Sequence, residues 1–570
     1  MLRQMLRPVA ATLLFTIFGL FTGLFAEGGR IPVRAKNGMV SSTSRLASEV
    51  GVEVLKSGGN AIDAAVATAF ALAVTWPSAG NIGGGGFLVY YGADGTTTTF
   101  DFREKAPLAA TETMYLDENG EIKDNSNHAG ALATGVPGTV AGLALAHEKL
   151  GTKKWGDLVQ PAITLAEKGF PTTWALHDAM NFLQPYFEKY PSTAKVFLKN
   201  GKPHEPGETW KQTDLANTLK RIKKQGRDGF YKGETARLIA KFMQENGGVI
   251  TEKDLARYEA IERKPIKGTY RGYDVIGMPP PSSGGVAVVE MLNILEGYNL
   301  KEIGHNSALY LHLLTEAMRR AFADRAKHLG DPDFNPDMPI ERLTSKEHAE
   351  KLRSTIQMFI ASNSDVEKFN WPHESSETTH FSVVDGEGNA VSLTYTLENS
   401  YGNKMVVEGA GFLLNNEMGD FNAIPGHTDE RGRIGTKPNL VAPEKRMLSS
   451  MSPTILAKDG KPVLVIGSPG GRTIINTVLQ VILNVVDHEM NIAQAIEAGR
   501  IHHQWFPDVT FLEPSTTTLD SRQLFENMGH KTGQRGFAQG RAMGIFIDHE
   551  KGILYGSADS RSPDGAAVGY

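Results

Sequence analysis

Two features of the 570-residue sequence predict an α+β fold, with helices packed in layers on antiparallel sheet. Segments with helical apolar spacing and segments that read as β-hairpins occur in blocks on both sides of residue 378. One predicted helix, from Ala61 to Val74, is apolar nearly all round, as expected of a helix buried in a layered domain.

The elements follow in order. Leu46 to Leu55 has helical apolar spacing and is ended by SGGN; the helix from Ala61 stops before Pro77. After GGGG at 83–86, FLVYYG and TTTTFDFR read as two strands joined by the turn ADG. Glycine clusters mark turns, and they also let backbone approach other groups closely. Residues 135–172 and 212–261 read as mainly helical. PPPSSGG at 279–285 is a tight turn that introduces the helix VAVVEMLNILEG, and 308–330 is a long amphipathic helix. From 331 to 377 Pro, Asp, Asn, Ser and Glu dominate without a period, the mark of a linker or surface loop. Strands then return: HFSVVD and NAVSLTYTL alternate around DGEG, a hairpin signal. KPVLVIGSPGG is a strand running into a glycine turn, TIINTVLQVILNVVD a buried helix, and RAMGIFIDHEKGILYGSAD another hairpin.

Length calls for one very large domain or two to three packed lobes. With 41% hydrophobic and 22% charged residues the chain folds; a net charge of −5 without a long run of one sign argues against a nucleic-acid partner. Arg3 and Arg7 precede an apolar stretch from Val9 to Phe25, followed by Ala26. That is the pattern of a signal peptide over residues 1–26, with a retained membrane anchor as the alternative, since the run is near the roughly 17-residue lower limit for a span. An exported, periplasmic or extracellular protein is expected, and the absence of cysteine fits one that relies on core size instead of disulfides.

Several chemistries lack their motifs. There is no G-x-S-x-G elbow, Walker loop or H-E-x-x-H, and DGEGN at 385–389 starts like a Ca²⁺ loop but reads better as the hairpin turn. The sixteen histidines show no metal spacing, and His502–His503 reads as a surface or structural pair, so no cofactor and no metal is expected. One remaining option is a threonine activated by its own α-amino group, whose pKa near 7.7–8.0 leaves a useful neutral fraction. Such a residue must begin a chain. The polar, aperiodic segment ending at ETTHFSVV, residues 377–384, is where an internal cut would be sought, although a loop leading into a strand is commonplace.

At this point the motifs become recognisable. TTHFSVVDGEGNAV, TYTLENSYG, GFLLNNEMGDF, APEKRMLSSMSPTI and VIGSPGG resemble the small-subunit core of the γ-glutamyltranspeptidases, which are N-terminal nucleophile hydrolases. GGNAIDAAVATAFALAV, GNIGGGGF, FDFREKAP, ATGVPGTVAGL, PPPSSGG and GSADSRSPDG match the same family, so the resemblance covers almost the whole mature chain in order. It implies a four-layer αββα sandwich built jointly by a large subunit, 27–377, and a small subunit, 378–570, cut from one precursor between Glu377 and Thr378. It implies Thr378 as nucleophile and Thr396 as the threonine that orients it, though Thr396 also suits a strand face. Gly470 and Gly471 match the oxyanion-hole glycines and Arg103 the arginine that clamps the donor's α-carboxylate, a task for a bidentate guanidinium. Ser449 and Ser450 match the serines that assist it; Glu398, Glu417 and Asp420 match the positions that gather the α-ammonium. Thr379 and His380 are expected to pack or hydrogen-bond where the strand begins.

The implied activity is γ-glutamyl transfer and hydrolysis of glutathione and other γ-glutamyl compounds, with an amino acid, dipeptide or water as acceptor. The alternatives are a related amide acylase, of glutaryl-cephalosporin or poly-γ-glutamate type, and an inactive scaffold. Two departures bear on specificity. Position 398 carries Glu where many members carry Asn, and the candidate lid loop, 424–445, contains no tyrosine to reach towards that position.

Overall fold

The computed structural model describes residues 30–365 and 378–570, apart from 428, 431–433, 515 and 537. The leader at 1–26 and Glu377 lie outside the described residues, as does part of the 424–445 segment.

Two seven-stranded sheets form the centre. In the first, the strand order is Ala566–Gly569, Met39–Ser42, Thr379–Val384, Ala390–Thr396, Gly85–Tyr91, Thr97–Phe102 and Ile261–Arg263, all neighbours antiparallel. In the second it is Val33–Ala35, Ile553–Ala558, Met543–Asp548, Lys461–Gly467, Thr454–Lys458, Tyr273–Gly277 and Ile266–Tyr270, again antiparallel. Each sheet therefore draws strands from both sides of residue 378.

The period of two in THFSVV and AVSLTYT decides the packing. Phe381, Val383, Val391, Leu393 and Tyr395 join one core with helices Arg45–Lys56, Ala61–Thr75, Thr139–Leu150, Trp155–Lys168 and Thr213–Gln225. The intervening hydroxyls face the second sheet: Ser382 donates to the Met543 carbonyl and Ser392 to the Ile466 carbonyl, both at 3.0 Å. Helices Gly284–Leu295, Ala308–His328 and Thr473–Val486 share the core on the far side of the second sheet. The result is helix, sheet, sheet, helix, the expected αββα order.

Helix Ala61–Thr75 is buried along its whole length and starts at a reciprocal capping box between Asn60 and Asp63. DGEGN is the hairpin turn: Asp385 accepts from the amides of Glu387 and Asn389, and its other oxygen accepts from the Ala61 amide. One segment differs from expectation. Residues 331–365 are not simply loop, because Ser345 caps a helix, Lys346–Arg353, that buries Ala349.

Candidate active site

The site forms where the first sheet meets three irregular segments. Thr379 pairs with Tyr395 in the antiparallel register, so Thr378 lies across from Thr396, the last residue of its strand. Both are buried. Thr396 Oγ1 accepts from the Glu398 amide at 2.8 Å, and its carbonyl accepts from Asn81 Nδ2. A Cβ on Gly84 would stand 2.0 Å from that carbonyl, so the GGGG run is what lets these strands close.

Arg103 follows strand Thr97–Phe102 and is fully buried. Its guanidinium donates to Glu417 Oε1, Asp420 Oδ2 and the carbonyls of Met447 and Leu448, and Glu104 Oε2 is 3.6 Å away. Burial opposes the charge, but the carboxylates of Glu417, Asp420 and Glu104 outweigh it and hold Arg103 cationic. Burial also pushes the carboxyls of Glu104 and Glu417 above the usual carboxylate range, against the pull of Arg103. Neither Glu104 oxygen has a hydrogen-bond partner, nor has Glu417 Oε2.

Glu398 has φ of +76°, an unusual conformation for a residue with a side chain. Three contacts hold it there: its amide on Thr396, His128 Nδ1 at 2.9 Å from its Oε1, and Asn399 Nδ2 at 2.8 Å from its Oε2. Burial disfavours the charged imidazole of His128, yet Glu398 outweighs it and raises its pKa.

Ser449 and Ser450 are fixed by the PPPSSGG turn. The Ser449 amide donates to the Pro281 carbonyl at 2.8 Å, and Ser283 donates through both amide and hydroxyl to the Ser449 carbonyl. Arg325 ties this corner to helix Ala308–His328, donating to Ser283 Oγ at 2.8 Å and Ser450 Oγ at 3.1 Å. Opposite them, Gly470 and Gly471 turn strand Lys461–Gly467 into helix Thr473–Val486. Gly470 adopts φ of +133°, and a Cβ there would meet Thr473 Oγ1 at 2.4 Å. Among the described residues the amides of Gly470 and Gly471 donate to no backbone carbonyl outside the regular elements.

One cavity collects these groups. It is lined by Arg103, Thr378, Thr396, Glu398, Glu417, Asp420, Ser449, Ser450 and Gly471, with Met451 and Ile474. Nine of the ten sequence-predicted residues therefore share one wall-to-wall space, and Gly470 adjoins it. Sequence reasoning missed Glu104, His128 and Arg325. Glu104 sits beside Arg103 within FDFREKAP and was open to inspection; His128 and Arg325 arrive only through the fold.

Other predicted residues are structural. His380 is buried between the sheets, with Nδ1 2.8 Å from Thr394 Oγ1, and burial lowers its pKa to about 3. Thr379 Oγ1 is 2.8 Å from Thr43 Oγ1. His502 and His503 are buried, not surface, residues. In the 424–445 segment, Asn439 donates to the Asp420 carbonyl at 2.7 Å and accepts from the Leu448 amide, joining it to both sides of the cavity.

Comparison with known proteins adds a family. Residues 47–569 match the family model described as Gamma-glutamyltranspeptidase. The glutathione hydrolase proenzymes of Pseudomonas sp. (strain A14) and Escherichia coli (strain K12) are each 47% identical, over 95% of this chain and 95% and 93% of theirs. Among solved structures, a cephalosporin acylase from Bacillus halodurans superposes with a TM-score of 0.84 at 29% identity, covering 96% of this chain and 98% of that one.

Proposed function

Because the chain belongs to the gamma-glutamyltranspeptidase family, we propose that its cavity carries out γ-glutamyl transfer and hydrolysis on glutathione and related γ-glutamyl compounds, with Thr378 as nucleophile. The observation that carries this reading is the convergence of Thr378 and Thr396 with Arg103, Glu398, Glu417, Asp420, Ser449 and Ser450 around one cavity. An arginine flanked by carboxylates is the complement of an α-amino acid zwitterion: the α-carboxylate takes Arg103, assisted by Ser449 and Ser450, and the α-ammonium takes the acidic side.

The precursor is cut between Glu377 and Thr378, giving subunits 27–377 and 378–570. The strands that the two parts share in both sheets support their staying together as a heterodimer. The freed α-amine of Thr378 takes the proton of its own hydroxyl, directly or through water, and Oγ1 attacks the γ-carbonyl. Amides of Gly470 and Gly471 hold the oxyanion. Collapse forms the γ-glutamyl ester of Thr378 and returns the proton to the departing amine of cysteinylglycine. Water, an amino acid or a dipeptide then gives up a proton to the Thr378 amine and resolves the ester. Residues 1–26 act as an export signal; no helix among the described residues is long and apolar enough to cross a membrane.

The likeness to a cephalosporin acylase keeps an acylase reading in view, and the α-ammonium separates the two. Paired assays with γ-glutamyl-p-nitroanilide and glutaryl-p-nitroanilide, which lacks the α-amino group, test this. Turnover of the γ-glutamyl compound by at least about a hundredfold over the glutaryl one is expected from losing a charge-assisted contact of about 3 kcal/mol. Equal turnover of both would overturn the reading.

A further inference from the structure

A second group of chemistry-bearing side chains lies in the outer helical layer. Glu290 on helix Gly284–Leu295, Asp324 on helix Ala308–His328 and His348 on helix Lys346–Arg353 bring two carboxylate oxygens and an imidazole nitrogen within 4.8 Å of one another. His348 Nε2 stands 2.6 Å from Asp324 Oδ2. One turn after Asp324, His328 has Nε2 3.8 Å from Asp324 Oδ1. Glu290 is only 1% exposed, and its Oε1 has no hydrogen-bond partner. Glu290 is buried and Asp324 half-buried, and the orphan Glu290 oxygen beside the Asp324 carboxyl leaves a place for a cation. Arg342 does not fill that role, because its guanidinium is spent on the imidazoles, 3.3 Å from His348 Nδ1 and 3.1 Å from His328 Nε2.

We propose that Glu290, Asp324 and His348, with His328 at the margin, form a structural site for a divalent transition-metal ion, with zinc the best match to a mixed imidazole and carboxylate set. The cation sits between the two carboxyl groups and the imidazole. His348 keeps one proton but carries it on Nδ1 when Nε2 binds the metal, so Arg342 turns away from that nitrogen. Three ligands on three helices make the ion a staple within this layer. Its effect reaches the cavity by a short route: Asp324 precedes Arg325, which holds Ser283 and Ser450, and Ser283 is where helix Gly284–Leu295 begins.

A contrasting cluster shows why the orphan oxygen matters. His312, Glu316 and His530 are as close together and more fully buried. There Glu316 already accepts from Arg320 and from the Ser362 amide, and His312 is bonded to His530 and to the Gln357 carbonyl. The carboxylate of that cluster already has its cations, Arg319 and Arg320.

Isothermal titration of the purified full-length gene product with zinc chloride tests the proposal, with thermal midpoints read in parallel. One zinc ion per polypeptide is expected to bind, with a raised midpoint. His348→Ala and Glu290→Gln should each weaken binding by about tenfold or more, equivalent to about 1.4 kcal/mol, while leaving zinc-free turnover of γ-glutamyl-p-nitroanilide unchanged. If His348→Ala does not fold, the near-isosteric Glu290→Gln decides alone. No binding, or binding that both variants leave unaltered, would overturn the proposal and assign any zinc to surface histidines.

Discussion

Arg103 faces three carboxyl groups, and its geometry makes a lysine a poor substitute. A guanidinium serves Glu417, Asp420 and two carbonyls at once, whereas an ammonium is a point donor that cannot span them. Arg103→Lys is expected to lower kcat/KM for γ-glutamyl-p-nitroanilide by about a hundredfold, roughly 3 kcal/mol, with the rise in KM the larger part. Glu398 allows a test of sign. Glu398 raises the pKa of His128, so acidification first charges His128, and the imidazolium then competes with the substrate ammonium for Glu398. KM in the parent enzyme should therefore climb as pH falls through the titration of His128. Glu398→Gln should show a higher KM above that range and a flatter profile through it; an unchanged profile would remove His128 from the account. The ten candidate residues were nameable from the sequence because they lie in short motifs that resemble the family's, TTHFSVV, TYTLENSYG, FDFREKAP, NNEMGDF, RMLSSM and GSPGG. His128 was not, because nothing in NSNHAG marks a histidine that only the folded chain brings to Glu398.

Among the elements, the hairpin that carries Thr378 is joined to its supporting helix by Asp385 at the turn, besides Tyr395, whose hydroxyl donates to the Ala69 carbonyl. Asp385 receives the amides of Ala61, Glu387 and Asn389 and the side-chain amide of Asn389. Asp385→Ala leaves those donors unpaired near the core and should cost about 2–4 kcal/mol, read as a lower thermal midpoint; an unaltered midpoint would show that the link contributes nothing. Gly470→Ala addresses the turn opposite. Its φ of +133° and the 2.4 Å approach to Thr473 Oγ1 predict a strained turn with reduced kcat and retained processing of the fold's bulk stability. Helices and hairpins with several periods, such as Ala61–Thr75 and Thr379–Thr396, were readable from pattern alone. Three-residue edge strands such as Val33–Ala35 and Ile261–Arg263 were not, since a period of two needs more residues to declare itself. The helix Lys346–Arg353 escaped for a different reason: its mean composition is polar, and its Ser345 cap is the main local signal.

For the molecule as a whole, burial of neutral histidines sets the response to acid. His380 and His530 are lowered to about 3, and His305 and His503 to about 4, with burial the leading cause in each. Their folded pKa values lie below the unfolded value near 6.5, so the unfolded chain binds protons first as pH falls. Stability is complete above about pH 6.5 and is lost progressively towards pH 3–4, each imidazole contributing about 1.4 kcal/mol per pH unit. Thermal midpoints measured from pH 7.5 to 4.5 should fall steeply at the acid end; a flat profile would contradict the burial argument. The layered fold and its joint construction from both parts of the chain were implied by the family resemblance, but the strand order within each sheet was not legible, because strand neighbours far apart in sequence leave no local pattern. That mixing is what allows a cut in the middle of the chain without loss of the fold, and it places the account's central claim on one bond. Intact-mass analysis of the purified protein, repeated for Thr378→Ala, tests it most directly. The parent should give two chains divided between Glu377 and Thr378, and the variant one uncut chain; a parent that stays whole, a cut elsewhere, or a variant that divides normally would contradict it.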